Sequence, residues 1–242
     1  MAIESLTQPI SRPSAKPLIE LRGAAVTYPG RPSPALSAVD LAVRHGELIT
    51  LTGPPGSGKS TLLSVVGLML RPTTGSYLLN GREVTRLGDK DRTAIRGRLI
   101  GRVFQRPQLL ASRSVLDNVM LSVLYTGLRR QQRSAAAAVA LERVGMAHRM
   151  HALPGELPAG EQQRVAIARA IAGNPSLLLC DDPTAGLDEA SAARVIGLLV
   201  GLHKAGTTVL VATRDQLAAA HSSRSLAVGP AGSGTFAEDL GP

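Results

Sequence analysis

LITLTGPPGSGKSTLLSVVGLML, residues 48–70, decides how the other residues of this 242-residue chain are read. Its apolar opening, Leu48–Thr52, has the length of a short buried strand, and a helix is expected from Lys59 to about Leu68. Between them Gly53-Pro54-Pro55-Gly56-Ser57-Gly58-Lys59-Ser60 satisfies GxxxxGK[ST], with Thr61 following. Glycines let the backbone fold so that successive N–H groups point inward, and the helix N-terminus adds partial positive charge. In such a loop Lys59 bridges the terminal phosphates and the Ser60 hydroxyl ligates Mg²⁺. A glycine-rich turn that binds nothing needs no preceding strand, lysine or hydroxyl. Having all three points to a nucleoside triphosphate site.

A magnesium ion held there needs a carboxylate from elsewhere. Leu177-Leu178-Leu179-Cys180-Asp181 is an apolar run ending in one, so Asp181 at a strand's C-terminal end is placed to hold the ion through water. Many core strands end in Asp; beside the glycine loop the pattern gains meaning. Cys180, the one cysteine, is read as a small buried hydrophobe. A lone cysteine also excludes a disulfide framework and a cysteine zinc site.

Outward from these two strands the pattern is mixed. IELRGAAVTY and LSAVDLAV read as strands, GSYLLNG (75–81) as a hairpin, and Asp91–Arg98 as helix before the strand LIGRVFQ. Residues 114–150 are mostly helical in pattern, including an Ala-rich stretch, and GEQQRVAIARAIAG and SAARVIGLLVGLHKAG are further helices. TTVLVAT reads as the last strand. Residues 1–17 read as a flexible leader, 18–228 as the folded domain with a helical insertion at about 107–160, and 229–242 as a flexible, unpacked tail. Strand and helix alternation makes the fold class α/β.

Composition narrows the function classes. Hydrophobic residues make up 44% of the chain, which excludes a disordered one. Aromatics at 2%, without Trp, leave little for base-stacking recognition of single strands. The longest apolar run, Leu62–Leu70, is far short of the roughly 20 residues that cross a bilayer. With no secretory h-region at the start, these features point to an intracellular soluble chain without direct membrane insertion. The net charge of +9 comes from 23 Arg and 4 Lys against 18 acidic residues. In an Ala- and Gly-rich chain, that bias reads as genome composition as readily as contact with phosphate, nucleic acid or membrane.

The ordered set Gly53–Thr61, Gln105 in VFQRPQLL, LPAGEQQRVAIARAI, LLLCDDPTAGLD and TVLVATRD strongly resembles the nucleotide-binding subunit of an ATP-binding cassette (ABC) transporter. The resemblance spans roughly residues 18–228. GREV at 81–84, FQ at 104–105 and LDNVMLSVLYTGL look most like the lipoprotein-releasing, macrolide-exporting and cell-division branch. It implies a P-loop NTPase (RecA-like) core with an antiparallel β subdomain and an inserted helical subdomain. It also implies ATP and Mg²⁺ as cofactors, an integral membrane permease as partner, and a location peripheral to the cytoplasmic face of the membrane. By the same resemblance, Tyr28 stacks on adenine; as a bare residue it reads equally as a core Tyr at a strand end. Gln105 contacts Mg²⁺ or the attacking water. Such subunits work as homo- or heterodimers, with ATP between one protomer's P-loop and the other's signature segment, here Pro158-Ala159-Gly160-Glu161, and with Asp188 at the interface.

Three departures bear on hydrolysis. The family's signature is LSGGQ, whereas this chain has Leu157-Pro158-Ala159-Gly160-Glu161; Pro158 removes a hydroxyl and an N–H, and Glu161 adds negative charge. The first helical turn tolerates Pro, so the helix itself is expected to survive. Asp182 stands where the family has a Glu general base. Arg214 stands where it has a His, and a guanidinium cannot relay a proton. Arg214 is instead expected to pair with Asp182. These residues together predict ATP binding with slow or absent hydrolysis.

The alternatives are a regulatory subunit that transmits nucleotide-dependent closure without transport, and a soluble nucleic-acid-acting ATPase. The second lacks the long coiled-coil insertion, zinc cysteines or second cassette that such proteins carry, so no nucleic acid is expected. Arg92, Arg96, Arg98, Arg102 and Arg106 are read as a solvated surface, or alternatively as a contact for anionic headgroups or an acidic permease loop. His148 and His151 have no partners at metal-ligand spacing.

Overall fold

The computed structural model describes residues 16–30, 33–124, 126, 128–214, 216–229 and 236–239. The chain opens with β1 (Ile19–Val26), β2 (Leu36–Val43), β3 (Leu48–Thr52), α1 (Lys59–Val66), β4 (Thr74–Leu79) and β5 (Arg82–Glu83). Then come α2 (Asp89–Leu99), β6 (Ile100–Val103), α3 (Val115–Met120), α4 (Arg130–Arg143) and α5 (Ala159–Ile171). It closes with β7 (Leu177–Asp181), α6 (Glu189–Lys204), β8 (Thr208–Ala212), α7 (Gln216–Ala220), β9 (Arg224–Val228) and β10 (Phe236–Asp239).

Two sheets result. One is antiparallel, ordered β2-β1-β4-β5; the other is ordered β10-β9-β3-β8-β7-β6, parallel from β9 to β6. Central parallel strands are covered on both faces, so both sets of alternating side chains must be apolar. That is how LLLCD divides: Leu177 and Leu179 join one core with α1 and the antiparallel sheet, and Leu178 and Cys180 join the other with α3, α4, α5 and α6. Strand β8 divides in the same way, with Leu210 and Ala212 on one side and Val209 and Val211 on the other. Burial pushes the Cys180 thiol well above its ordinary range, so it is an inert packing residue as the sequence suggested.

The expected helical insertion is present but broken. Ser114 caps α3, its Oγ accepting from the Asp117 N–H at 3.1 Å, and α3 passes after six residues into a 3₁₀ turn over Leu121–Val123. Buried Asn118 donates to the carbonyls of Leu110, Arg113 and Ser114 at 3.0–3.1 Å, which fixes the loop leading into α3.

Two expectations about the C-terminal end need correction. TTVLVAT is not the last strand: RSLAV forms β9, which pairs in parallel with β3. Nor is the segment after 228 wholly unpacked, because Phe236–Asp239 forms β10 antiparallel to β9. The free edge of β9 offers unpaired N–H and C=O groups, and even a short segment can satisfy them. The hairpin read at 75–81 closes later, its return arm being β5 beyond the turn at Asn80-Gly81. Residues 1–15 of the expected flexible leader lie outside the described residues.

Candidate functional site

The loop from Gly53 to Gly58 is shaped by close backbone approaches. Gly53 has φ +138, and a Cβ there would run into the Val228 carbonyl oxygen. Gly58 has φ +98, and a Cβ would stand 2.7 Å from the Ala35 carbonyl oxygen. Helix α1 starts immediately after Gly58 with no side-chain cap and no acidic residue in its first turn. Its leading N–H groups and positive end are therefore left for a ligand, the arrangement that favours phosphate. Lys59 Nζ lies along the loop, donating to Gly53 O at 2.8 Å, Pro54 O at 2.9 Å and Ser57 Oγ at 3.3 Å. Burial, with help from nearby Arg214, holds the Lys59 ammonium below its usual pKa against the opposing pull of Asp181 and Asp182.

Gly56 to Thr61 form one wall of a cleft of about 320 Å³ whose other residues are Tyr28, Ser33, Pro34 and Ala35. Tyr28 lies beyond β1 and is 41% exposed, so it is not the strand-end core residue that the sequence left open. Ring and phosphate loop thus share a cavity.

Strands β3 and β7 flank β8, which brings the carboxylate pair beside α1. Ser60 Oγ donates to Asp181 Oδ1 at 3.0 Å, so the two expected magnesium residues are in contact. Among the described residues no group of three or more His, Cys, Asp or Glu could hold an ion alone. Ser60 and Asp181 would fit a divalent cation whose remaining ligands would come from a bound nucleotide and water.

Asp182 follows in a left-handed conformation, φ +44, with its N–H bonded to Ala212 O at 2.7 Å. That positive φ is costly for a non-glycine residue and turns the chain sharply at the strand's end. Its Oδ1 accepts from Thr213 Oγ1 at 3.5 Å, a long contact. Burial raises the Asp182 pKa above the ordinary carboxylate range, and Arg214 is the foremost influence opposing the rise. The expected direct Asp182–Arg214 pair does not form: the six ion pairs within 4.0 Å among the described residues do not include it. Exposed Arg214 acts on Asp182 through space, leaving its carboxylate accessible.

Gln105 lies two residues past Val103, which pairs with Cys180, so it emerges beside the carboxylate pair at the same end of the sheet. Its loop is anchored by side chains that the sequence reading missed. Gln163 Nε2 donates to Phe104 O at 3.2 Å, and Arg169 donates to Pro107 O at 2.7 Å and Gln108 O at 2.8 Å. A glutamine on the otherwise apolar buried face of α5 was the visible signal.

Pro158 caps α5, its carbonyl accepting from the N–H groups of Glu161 and Gln162 at 2.9 and 3.0 Å. The helix survives the proline, as expected. Gly160 packs closely on α6: a Cβ there would lie 2.6 Å from Ser191 Oγ. Glu161 sits between Arg149 and Arg164, 3.7 Å from each, so the chain itself offsets the added negative charge. Asp188 caps α6, accepting from the Ser191 N–H at 2.9 Å, and hydrogen bonding with the Ser191 side chain and then its N–H lowers the Asp188 pKa. Pro158, Gly160 and Glu161 line a separate cavity of about 120 Å³ that shares no residue with the P-loop cleft.

The family described as ABC transporter matches residues 36–185. This chain belongs to the ABC transporter family, among its ATP-binding subunits. The lipoprotein-releasing system ATP-binding protein LolD of Hyphomonas neptunium is 41% identical over 214 residues, covering 87% of this chain and 94% of LolD. The macrolide export ATP-binding/permease protein MacB 1/2 of Paracoccus denitrificans is 41% identical over 210 residues, which is 86% of this chain but only 31% of MacB. This ABC chain thus spans about a third of the length of such MacB relatives. The dimeric post-hydrolysis structure of the ATP-binding cassette MJ0796, bound to ADP and Pi, superimposes with a TM-score of 0.80 at 33% identity, over 87% of this chain and 94% of that one. The fold is therefore the mixed α/β cassette with antiparallel β and helical subdomains, and the family is that of ATPases. No helix among the described residues is long and apolar enough to cross a membrane.

Proposed function

We propose that this chain binds MgATP in the Tyr28–P-loop cleft, dimerises around it, and drives a separate membrane permease at whose cytoplasmic face it sits, with slow hydrolysis. The observation that carries this reading is the Ser60–Asp181 contact at 3.0 Å beneath an uncapped, glycine-shaped helix N-terminus. Lys59 and the N–H groups of residues 56–61 bind the phosphates, and the Tyr28 ring stacks on the base. Ser60 and Asp181 hold the cation, which when bound offsets charge on the phosphates.

Asp182 accepts the proton of the attacking water, and Gln105 orients that water. A carboxylate one methylene shorter than Glu sits farther from the water, and a misplacement of about 1 Å costs on the order of 10²-fold. Arg214 supplies charge but no proton relay. The N-terminus of α5, starting at Pro158, Ala159, Gly160 and Glu161, closes on the nucleotide of the second protomer, with Asp188 at the interface. The domain spans 18–228 and is joined by β10, with the helical subdomain at about 107–160. Gel filtration in MgATP tests the dimer: Asp182→Asn, which retains nucleotide, elutes as a dimer and Lys59→Ala as a monomer. An Asp182→Asn variant that binds MgATP yet stays monomeric contradicts the reading.

A further inference from the structure

The arginines around β6 do not form one solvated surface. Arg92, only 5% exposed, and Arg96 both donate to the Leu68 carbonyl, at 2.7 and 2.9 Å. Arg102 Nη2 lies 3.2 Å from Ser64 Oγ. Arg194, on α6, is held differently. It is exposed, and none of the six ion pairs within 4.0 Å among the described residues includes it. Helical side chains lean back toward the helix start, and its Nη2 accordingly donates to Ser191 Oγ, one turn earlier, at 3.3 Å. A Cβ on Gly160 would meet that same Oγ at 2.6 Å, so the guanidinium stands beside the first turn of α5.

Arg194 and Arg164 line the 120 Å³ cavity at the starts of α5 and α6, with Glu161 as the acid among the described lining residues. That volume is well below the roughly 300 Å³ or more of pockets that hold whole ligands, so the cavity receives one small group. Helix α1 has no acid in its first turn, whereas α5 carries Glu161 there and offsets its own positive end. Pro158, before it, offers neither an N–H nor a hydroxyl. The start of α5 alone is therefore a poor anion site. Arg164 is engaged within the chain, 3.7 Å from Glu161 and donating to Val144 O at 3.2 Å. Arg194 is the cation left to face outward, and a guanidinium fork matches phosphate oxygens. We infer that Arg194 binds the terminal phosphate of the nucleotide held by a second copy of this chain, supplying the donor that Pro158 cannot. The inference rests on the reading that two protomers close around MgATP, and adds the side chain that makes the contact across them.

The test is sedimentation velocity of the full chain over a concentration series in MgATP, with Asp182→Asn as the background that retains nucleotide. Arg194→Ala is expected to weaken the dimer by about tenfold or more. Arg194→Gln, which keeps much of the side chain's length without its charge, gives the same direction of loss. An unchanged unfolding midpoint without nucleotide shows that each variant is folded. Adding Pro158→Ser, which restores both an N–H and a hydroxyl at the start of α5, recovers most of the loss; a structural role for Arg194 within α6 would not respond to it. In MgADP with inorganic phosphate, the dependence on Arg194 is much weaker. A dimer as strong in the Arg194 variants as in the background, or a loss that Pro158→Ser does not recover, overturns the inference and leaves the dimer reading standing. Equal dependence on Arg194 in MgADP with inorganic phosphate assigns the cavity to free phosphate and overturns it as well. Asp182→Asn protein that binds MgATP yet stays monomeric throughout removes both readings.

Discussion

The P-loop wall and the paired N-termini of α5 and α6 are both built around a close approach at a glycine, yet they depend on their sequences differently. At the P-loop the constraint is backbone against backbone: Gly53 against Val228 O and Gly58 against Ala35 O. Such contacts cannot yield, so the motif is intact. At the α5 end, Gly160 meets a serine side chain, and Pro158 and Glu161 are accommodated by a carbonyl cap and two arginines. The comparison teaches that the half proposed to grip a nucleotide is rigidly specified, whereas the half proposed to close on a second molecule can drift without harming the fold.

The most severe way to break this contrast is at the rigid half. Gly58→Val places a β-branched side chain at φ +98 against the Ala35 carbonyl, and Lys59→Ala removes a charge-assisted donor. Each is expected to weaken MgATP binding by on the order of 10²-fold in titration calorimetry. Near-wild-type affinity in both would remove the P-loop from the account. Next comes Asp182→Glu combined with Arg214→His. Turnover should rise by up to roughly 10²-fold, with ATP affinity changed by less than about threefold.

A smaller effect concerns pH. Burial raises the Asp182 pKa above its ordinary range, and the proposed base works only when ionised, so turnover is expected to fall as pH drops through that raised value. Arg214 opposes the rise, so Arg214→Ala moves the acid limb of the pH–rate profile further up; a limb that moves down contradicts the assignment. For stability the sign is reversed. The folded state holds the proton more tightly than the unfolded chain, so this carboxyl's contribution is present at low pH and is lost as pH rises through its native pKa. The least effect is expected at the tolerant half. Glu161→Gln breaks two ion pairs of 3.7 Å and should change stability by no more than about 1 kcal/mol in denaturant unfolding.

Much of the fold was legible because apolar runs of strand length and the glycine loop carry their own spacing. LITLT, LLLCD and TVLVA were read as strands from five or so residues, and each is one. Strands β9 and β10 were not, because RSLAV is short and polar at its start and its pairing with β3 joins residues about 170 positions apart. In the site, the motif logic set Ser60 and Asp181 on one ion, and their side chains are in contact. The Asp182–Arg214 contact was inferred from charge and does not form, since reach depends on backbone direction, which the positive φ of Asp182 alters. Arg169 and Gln163 were missed because their partners are backbone carbonyls, which no pattern of side chains reveals.

The central claim is that nucleotide is held well but hydrolysed slowly because of Asp182 and Arg214. Its most direct test is steady-state ATP turnover together with nucleotide occupancy, measured on the purified chain with its permease and on the Asp182→Glu, Arg214→His variant. The account predicts high occupancy in both, wild-type turnover below the roughly 1–10³ s⁻¹ usual for enzymes, and a marked rise in the variant. Wild-type turnover within that range, or a variant no faster than wild type, would contradict it.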